Sequence, residues 1–296
     1  MSLPNFLCIG APKCGTTSLF EILSQHPEIG LSSFKEPHFF NNDLNWEKGL
    51  EWYENNYFSK LDSKVIGEFT PTYLSSYSSP LRIKNSLGPD VKFIVLLRNP
   101  VERSYSHYLH SKRDEYEHFD FIDAILAEEG RLNKLDIKND LISFLKYSYV
   151  YQSNYAHHIK NYLKYFHKSQ FHFVFFDDFL SKRKDTIDNI CSFLNVRQNL
   201  NMELNIKSNP ASISRSIILK KIMLKKTFAN KLLKILIPSF KLRQRIRNNI
   251  HAKNNKPIRK IPLTIKQRNF CYDNYFSKQI LELEKILGIN LDIWRT

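Results

Sequence analysis

The sequence predicts an α/β protein, in which a central parallel β-sheet is flanked by helices and followed by a helical, basic C-terminal part. Three observations carry that expectation. Short apolar strand signals alternate with helix signals up to about Val196. A polar, glycine-containing turn runs directly from the first strand signal into the first helix signal. And the 69 residues from Leu204 to Tyr272 hold 18 Lys and Arg but no Asp or Glu. Strands separated by helices pair in parallel and bury both faces of their sheet.

In chain order, Phe6-Leu7-Cys8-Ile9-Gly10 reads as a short buried strand. The turn after it opens an apolar-periodic helix from about Thr16 to Gln25, closed by His26-Pro27. Ile29-Gly30-Leu31 is β-like, and Val65-Ile66 reads as another short strand. Lys92 to Leu97 is an uninterrupted apolar strand signal. Pro100 suits the first turn of a helix running to about Arg113. Phe171 to Phe176 is a further strand. Because ligands sit at the carboxyl ends of such strands, the turns after Ile9 and after Leu97 fall at the same functional end. Past Val196 the pattern changes. Ser212 to about Leu236 reads as a basic amphipathic helix, Lys253 to Pro262 as a loop, and Thr264 to Leu287 as a final helix capped by Thr264. One domain over residues 1–296 is expected, with a core at about 5–196 and the basic helical region at about 204–296.

Composition excludes several classes. With 42% apolar and 25% charged residues in 296, the chain is globular rather than disordered. No apolar run approaches the ~20 residues of a membrane helix. Met1–Asn5 leads straight into Phe6 without a charged n-region or cleavage site. The expected location is cytoplasmic, with peripheral association at the inner face of a membrane through the basic region. Cys8, Cys14, Cys191 and Cys271 lack paired spacing, so reduced thiols are expected rather than disulfides or a zinc site. The net charge of +15 is regional: outside Leu204–Tyr272 the chain sums to about −3.

The turn Gly10-Ala11-Pro12-Lys13-Cys14-Gly15-Thr16-Thr17-Ser18 has the chemistry of an anion site. A helix N-terminus offers free N–H groups and a positive dipole end. Lys13 adds a cation, and Thr16, Thr17 and Ser18 add hydroxyls. The turn is P-loop-like but is not a Walker A motif, which needs Gly-x4-Gly-Lys-Ser/Thr. Gly10 and Gly15 have the spacing, yet Thr16 stands at the lysine position and the lysine lies inside the loop. Cys14, beside Lys13 and the helix start, is expected to have an acidified thiol.

Pro12-Lys13-x-Gly15-Thr16-Thr17 resembles the 5′-phosphosulfate loop of sulfotransferases that use 3′-phosphoadenosine 5′-phosphosulfate (PAPS). Lys35-Glu36-Pro37-His38-Phe39-Phe40 resembles the Lys-Glu-x-His-Phe-Phe segment of the heparan sulfate branch. Arg98-Asn99-Pro100-Val101-Glu102-Arg103-Ser104-Tyr105-Ser106 resembles the family's 3′-phosphate motif. Ser153-Asn154-Tyr155-Ala156, with Tyr162, Leu163 and Phe166, resembles the helix before the fourth strand. The likeness covers roughly Phe6 to Val196. It departs at Gly67-Glu68, followed here by Phe69 where the heparan branch often has lysine, and that branch's C-terminal Lys-Gly-Arg loop is not visible.

The resemblance implies transfer of a sulfuryl group from PAPS, without a metal, to a hydroxyl or amine of a carbohydrate or glycolipid. Lys13 would stabilise the leaving 5′-phosphate and Glu36 would act as general base. His38 would orient Glu36: if the segment is extended, both side chains share a face. Pro12 to Ser18 would hold the phosphosulfate, and Arg98 and Ser106 the 3′-phosphate, with Arg215 or the Lys253–Lys256 stretch completing the donor site. Tyr73 would line the acceptor cleft. Bland roles compete: Arg98 can pair with Glu102 four residues on, and Phe39 and Phe40 read as core.

Two other function classes fit parts of the sequence. A P-loop-like kinase or NTPase would use the same turn, but the strand Lys92–Leu97 ends in Arg98 rather than a Walker B acid. A basic polyanion binder would use the acid-free stretch, yet no nucleic-acid motif or interleaved aromatics accompany it, so no nucleic-acid partner is expected.

Overall fold

A strand without a polar side chain is stable only when both its faces are covered. In the computed structural model, Phe6–Gly10 is strand β1, buried at every position. The structure describes residues 2–59, 61–138, 140–206 and 262–295, together with the backbone of 212–214 and 255–257. Strands β2 (Ile29–Leu31), β3 (Val65–Phe69), β4 (Lys92–Leu97) and β5 (Phe171–Phe175) complete a five-stranded sheet with β1. The order is β2-β3-β1-β4-β5, and every neighbouring pair is parallel. The chain first builds outward on the β3 side of β1, then crosses to the β4 side. In open α/β sheets ligands bind beyond the carboxyl ends of the strands where the order reverses, here β1 and β4. The two turns singled out in the sequence lie there.

Helices connect the strands: α1 (Thr16–Leu23), α2 (Asp43–Trp46), α3 (Gly49–Tyr57), α4 (Ser79–Leu87), α5 (Pro100–Arg113), α6 (Phe121–Leu132), α7 (Leu141–Tyr147), α8 (Tyr155–Leu163), α9 (Phe176–Ser181) and α10 (Arg183–Leu194). The predicted limits of β4 and α5 hold at both ends. Asn99 caps α5, its side chain accepting from the N–H groups of Val101 and Glu102. The first helix ends at Leu23, short of Gln25. The final helix is in two pieces, α11 (Ile265–Cys271) and α12 (Ser277–Leu287), joined by a π-helical turn at Tyr272–Phe276. Thr264 caps it as expected, in a reciprocal capping box with Gln267.

The described residues form two compact units, one of residues 1–208 with 263–296 and one of 209–262. In the second, Ser212–Ser214 is strand β6, antiparallel to β7 at Asn255–Pro257. This corrects the sequence reading, which placed a helix start at Ser212 and a loop at Lys253–Pro262. Ser-Ile-Ser has the two-residue alternation of a strand, and serines resist helix interiors. The remainder of the expected basic helix lies outside the described residues.

The core of the first unit is rich in aromatics. Phe93 of β4 stacks on Phe171 of β5 with centroids 4.7 Å apart and meets Phe166 edge-on at the same separation. The C-terminal segment contributes Phe276, Ile280, Leu283, Leu287 and Trp294 to this core. Burial of each such side chain contributes about 1.5–3 kcal/mol. Trp294 packs against Tyr155 and Phe175, and its carbonyl accepts from Asn99 Nδ2 at 3.1 Å. The sequence end is thereby tied to the cap of α5. Among the described residues, no helix is long and apolar enough to cross a membrane.

Candidate active site

The glycine-containing turn lies between β1 and α1. Gly15 adopts a φ of +91°, and a Cβ there would sit 3.2 Å from the Phe179 ring, so only glycine turns the chain without strain. Gly10 is equally constrained: a Cβ would approach Leu74 to 2.6 Å. No side chain caps α1, which leaves its first N–H groups available to an anion. Pro12, Lys13, Thr17 and Ser18 are half-buried around this helix end, whereas Cys14 and Thr16 are buried. Lys13 reaches towards α5. There, burial first and the Lys13 charge second hold His110 well below the usual imidazole range.

Cys14 corrects one expectation. Its thiol is fully buried, lying 3.9 Å from the Tyr155 hydroxyl. Burial outweighs the nearby arginines and pushes it up to about 11, so it is a packing group rather than an acidified thiol. Tyr155 in turn donates to the Arg98 carbonyl at 3.0 Å. One tyrosine of α8 thus locks the loop after β1 to the end of β4.

Lys35, which the sequence reading did not single out as a site residue, joins the loop to the candidate base. Its Nζ donates to Thr17 Oγ1 at 3.0 Å, to Thr16 Oγ1 at 3.3 Å and to Glu36 Oε1 at 3.0 Å. His38 Nε2 lies 3.4 Å from Glu36 Oε2. Glu36 and His38 therefore meet as expected, but not because the segment is extended. Both have positive φ, 65° and 50°, and the tight winding of the chain brings the side chains together. Desolvation raises the Glu36 carboxyl, but the Lys35 ammonium and the His38 imidazole outweigh it and hold the group far below the usual carboxylate range. The signal for Lys35 was present in the sequence, as the first residue of the Lys-Glu-x-His-Phe-Phe segment.

Beneath this loop lies a second carboxylate. Glu68, at the end of β3, accepts from the hydroxyls of Tyr53, Thr70 and Tyr73. It is fully buried, and burial raises it to about 7 despite those donors. Tyr73 passes the support upward, its hydroxyl accepting from the N–H groups of Phe39 at 2.9 Å and Phe40 at 3.3 Å. Tyr73 was expected to line the acceptor cleft; it is fully buried instead and holds the Glu36 loop from below. An aromatic ring flanked by Phe40 is most stable inside. Phe39 and Phe40 are core, as read from the sequence. Phe69 also is core, edge-on to Phe6 and Phe20.

At the end of β4, Arg98 Nη2 lies 3.2 Å from Glu102 Oε2 and its guanidinium covers the Phe176 ring at 4.8 Å. Glu102 also pairs with Arg268 of α11. Arg268 gave no signal in the sequence, because 166 residues separate it from its partner. Arg98 precedes the Asn99 cap of α5, while Glu102 and Ser106 lie within the helix four residues apart, with Ser106 half-buried. Glu102 ties Arg98 to the first turn of α5, Ser106 lies one turn further along, and among the described residues neither Arg98 nor Ser106 contacts Glu36. Arg215 and Lys253 lie outside the described residues, as does the side chain of Lys256.

The family described as the sulfotransferase domain matches residues 3–250. Heparan sulfate glucosamine 3-O-sulfotransferase 6 of Mus musculus is 34% identical over 198 residues, 66% of this chain and 53% of that protein. Heparan sulfate glucosamine 3-O-sulfotransferase 5 of the same organism is 30% identical over 202 residues, 66% of this chain and 54% of that protein. The chain thus spans about half the length of these curated relatives. A solved sulfotransferase from Alicyclobacillus acidocaldarius superposes with a TM-score of 0.71 over 100% of both chains, at 23% identity, and shares the fold. With a family match over most of its length and a five-stranded parallel sheet, this chain belongs to the sulfotransferase domain family.

Proposed function

We propose that the protein transfers a sulfuryl group from PAPS to a hydroxyl or amine of a carbohydrate or glycolipid acceptor. The observation that carries the reading is the reach of Lys35: one ammonium touches both the hydroxyls at the start of α1 and the Glu36 carboxylate. A group held at the helix end is therefore beside a candidate base. The loop fits a phosphosulfate, offering Lys13, Thr16, Thr17, Ser18 and uncapped N–H groups. Arg98 and Ser106 fit the 3′-phosphate, the arginine through its planar fork. The names of the relatives support a glycan acceptor.

In this reading the acceptor oxygen or nitrogen attacks sulfur while Glu36 removes its proton. The new bond to sulfur forms as the bond between sulfur and the 5′-phosphate oxygen breaks. Positioning and charge stabilisation supply most of the rate. Lys13 stabilises the leaving phosphate, and His38 holds the Glu36 carboxylate.

A thermal-shift titration with 3′-phosphoadenosine 5′-phosphate (PAP) tests the donor site, with AMP, ADP and ATP–magnesium as controls. Saturation at 100 times the dissociation constant should add about 2.7 kcal/mol of stability. Stabilisation by ATP–magnesium in preference to PAP would instead favour a kinase or NTPase, and no response to PAP would remove the sulfotransferase reading.

A further inference from the structure

We infer that Lys35 couples donor loading to activation of the base: its ammonium locks Glu36 while the donor site is empty, and the sulfonate of the donor draws it away. The inference rests on the proposed sulfotransferase reading, and it starts from a count of hydrogen-bond donors. An ammonium has three N–H groups and no acceptor. Those of Lys35 meet three oxygens already, Thr16 Oγ1, Thr17 Oγ1 and Glu36 Oε1. The side chain is only 16% exposed, so it has little room to gain partners from water.

The surroundings of Glu36 leave Lys35 as its dominant charge. On its own loop it faces Lys35 and His38. From α1 come only the hydroxyls of Thr16 and Thr17, through Lys35. From β1 comes the Cys8 thiol, which is sensitive to both Lys35 and Glu36 and is raised by burial to about 12. From β3 comes Glu68, whose field falls on His38. A carboxylate tied to an ammonium binds a proton weakly and is a poor general base.

A sulfonate placed at the start of α1 offers three new oxygens beside Thr16 and Thr17. Lys35 can serve it only by giving up existing partners. Once the ammonium moves to the sulfonate, Glu36 keeps His38 alone and its proton affinity rises towards the ordinary carboxylate range. The base is thus switched on by the substrate it must act beside. PAP, which lacks the sulfonate, leaves Lys35 where it is. In the transfer itself Lys35 exchanges no proton: the acceptor proton passes to Glu36, the bond from the acceptor to sulfur forms, and the bond from sulfur to the 5′-phosphate breaks.

The test is proton uptake on binding, measured by isothermal calorimetry in buffers of different ionisation enthalpy near pH 4.5–5, close to the ordinary glutamate range. The same ligand is compared across the wild type, Glu36→Gln and Lys35→Gln, so the ligand's own ionisation cancels. PAPS binding to the wild type should take up about half a proton more than binding to Glu36→Gln, as expected for a group brought near its pKa. Lys35→Gln should match Glu36→Gln, because its Glu36 is unlocked from the outset. With PAP, all three should agree. Equal uptake of PAPS by the wild type and Glu36→Gln overturns the inference, as does a persistent excess in Lys35→Gln. If Lys35→Gln does not fold, the wild type against Glu36→Gln still decides. Failure of the wild type to bind either nucleotide would instead remove the sulfotransferase reading itself.

Discussion

Glu36 and Arg98 are both held by neighbours of opposite charge, yet their substitution should be felt at different steps. Glu36→Gln should lower turnover by about 10²–10⁴-fold, the contribution of a positioned general base, and leave PAP affinity nearly unchanged. Steady-state rates set beside PAP titrations would show this, and normal turnover would take Glu36 out of the mechanism. Arg98→Ala should weaken PAP binding by about 1.5–3 kcal/mol, the range for a charged hydrogen bond. An unaltered dissociation constant would discredit the 3′-phosphate assignment. At this scale the sequence was most legible where residues are contiguous: Glu36 and His38 sit in one short motif, and the structure brings their side chains together. It was least legible where a role depends on depth. Nothing in Thr70-Pro71-Thr72-Tyr73 says that the tyrosine is fully buried on Glu68, and nothing near Arg268 announces its partner on α5.

Among the elements, the strand–loop–helix at Phe6–Leu23 shows how tightly local geometry binds the site to the sheet. Gly15→Ala must force a side chain to adopt a φ of +91° against the Phe179 ring. The expected cost is about 1–2 kcal/mol from the left-handed backbone, with weaker PAP binding as the helix end shifts. Chemical denaturation and a PAP titration would detect both, and a variant as stable and as tight-binding as the parent would show that the turn tolerates a side chain. Strands β1, β4 and β5 and helix α5 were readable because their apolar runs and the proline at position 100 act within a few residues. Ser212–Ser214 was not, since its strand exists only by pairing with Asn255–Pro257 some forty residues away. The π-helical turn at Tyr272–Phe276 left a small mark that the sequence reading passed over: the buried Cys271 and Phe276 are five residues apart, where an α-helix repeats its buried face every three or four.

For the whole molecule, stability should depend on pH through groups of opposite sense. Glu68 and Glu128 are raised by burial to about 7. Their folded forms therefore hold protons that the unfolded chain releases, and each withdraws stability as pH rises from about 4.5 to about 7. His158, lowered by burial to about 4, acts the other way and withdraws stability as pH falls below about 6.5. The difference between wild type and Glu68→Gln isolates the first effect. The variant should gain about 1–3 kcal/mol on the wild type between pH 5 and pH 8, because each pH unit through which only the folded carboxyl keeps its proton costs the wild type about 1.36 kcal/mol. Melting curves at the two pH values would read it, and a gap that stays constant would mean that Glu68 remains ionised throughout. The parallel sheet at this scale was legible from the alternation of strands and helices. The return of residues 263–295 to pack on that sheet was not, because no local pattern records a contact with a partner so distant in the chain.

That return has a consequence for how the protein is made. Asn99 and Trp294 are joined across 195 positions, while β1 and β4, each opposite the other in the sheet, are separated by less than half that length. Ribosomes deliver residues in order, and the sheet can zip while the segment that closes over Tyr155 and Phe175 is still unsynthesised. Until Trp294 arrives, a nascent chain carries a bare aromatic seat beside the cap of α5. Newborn copies therefore pass through a sticky adolescence that mature ones have left behind, and a pause in translation upstream of Leu263 would prolong it.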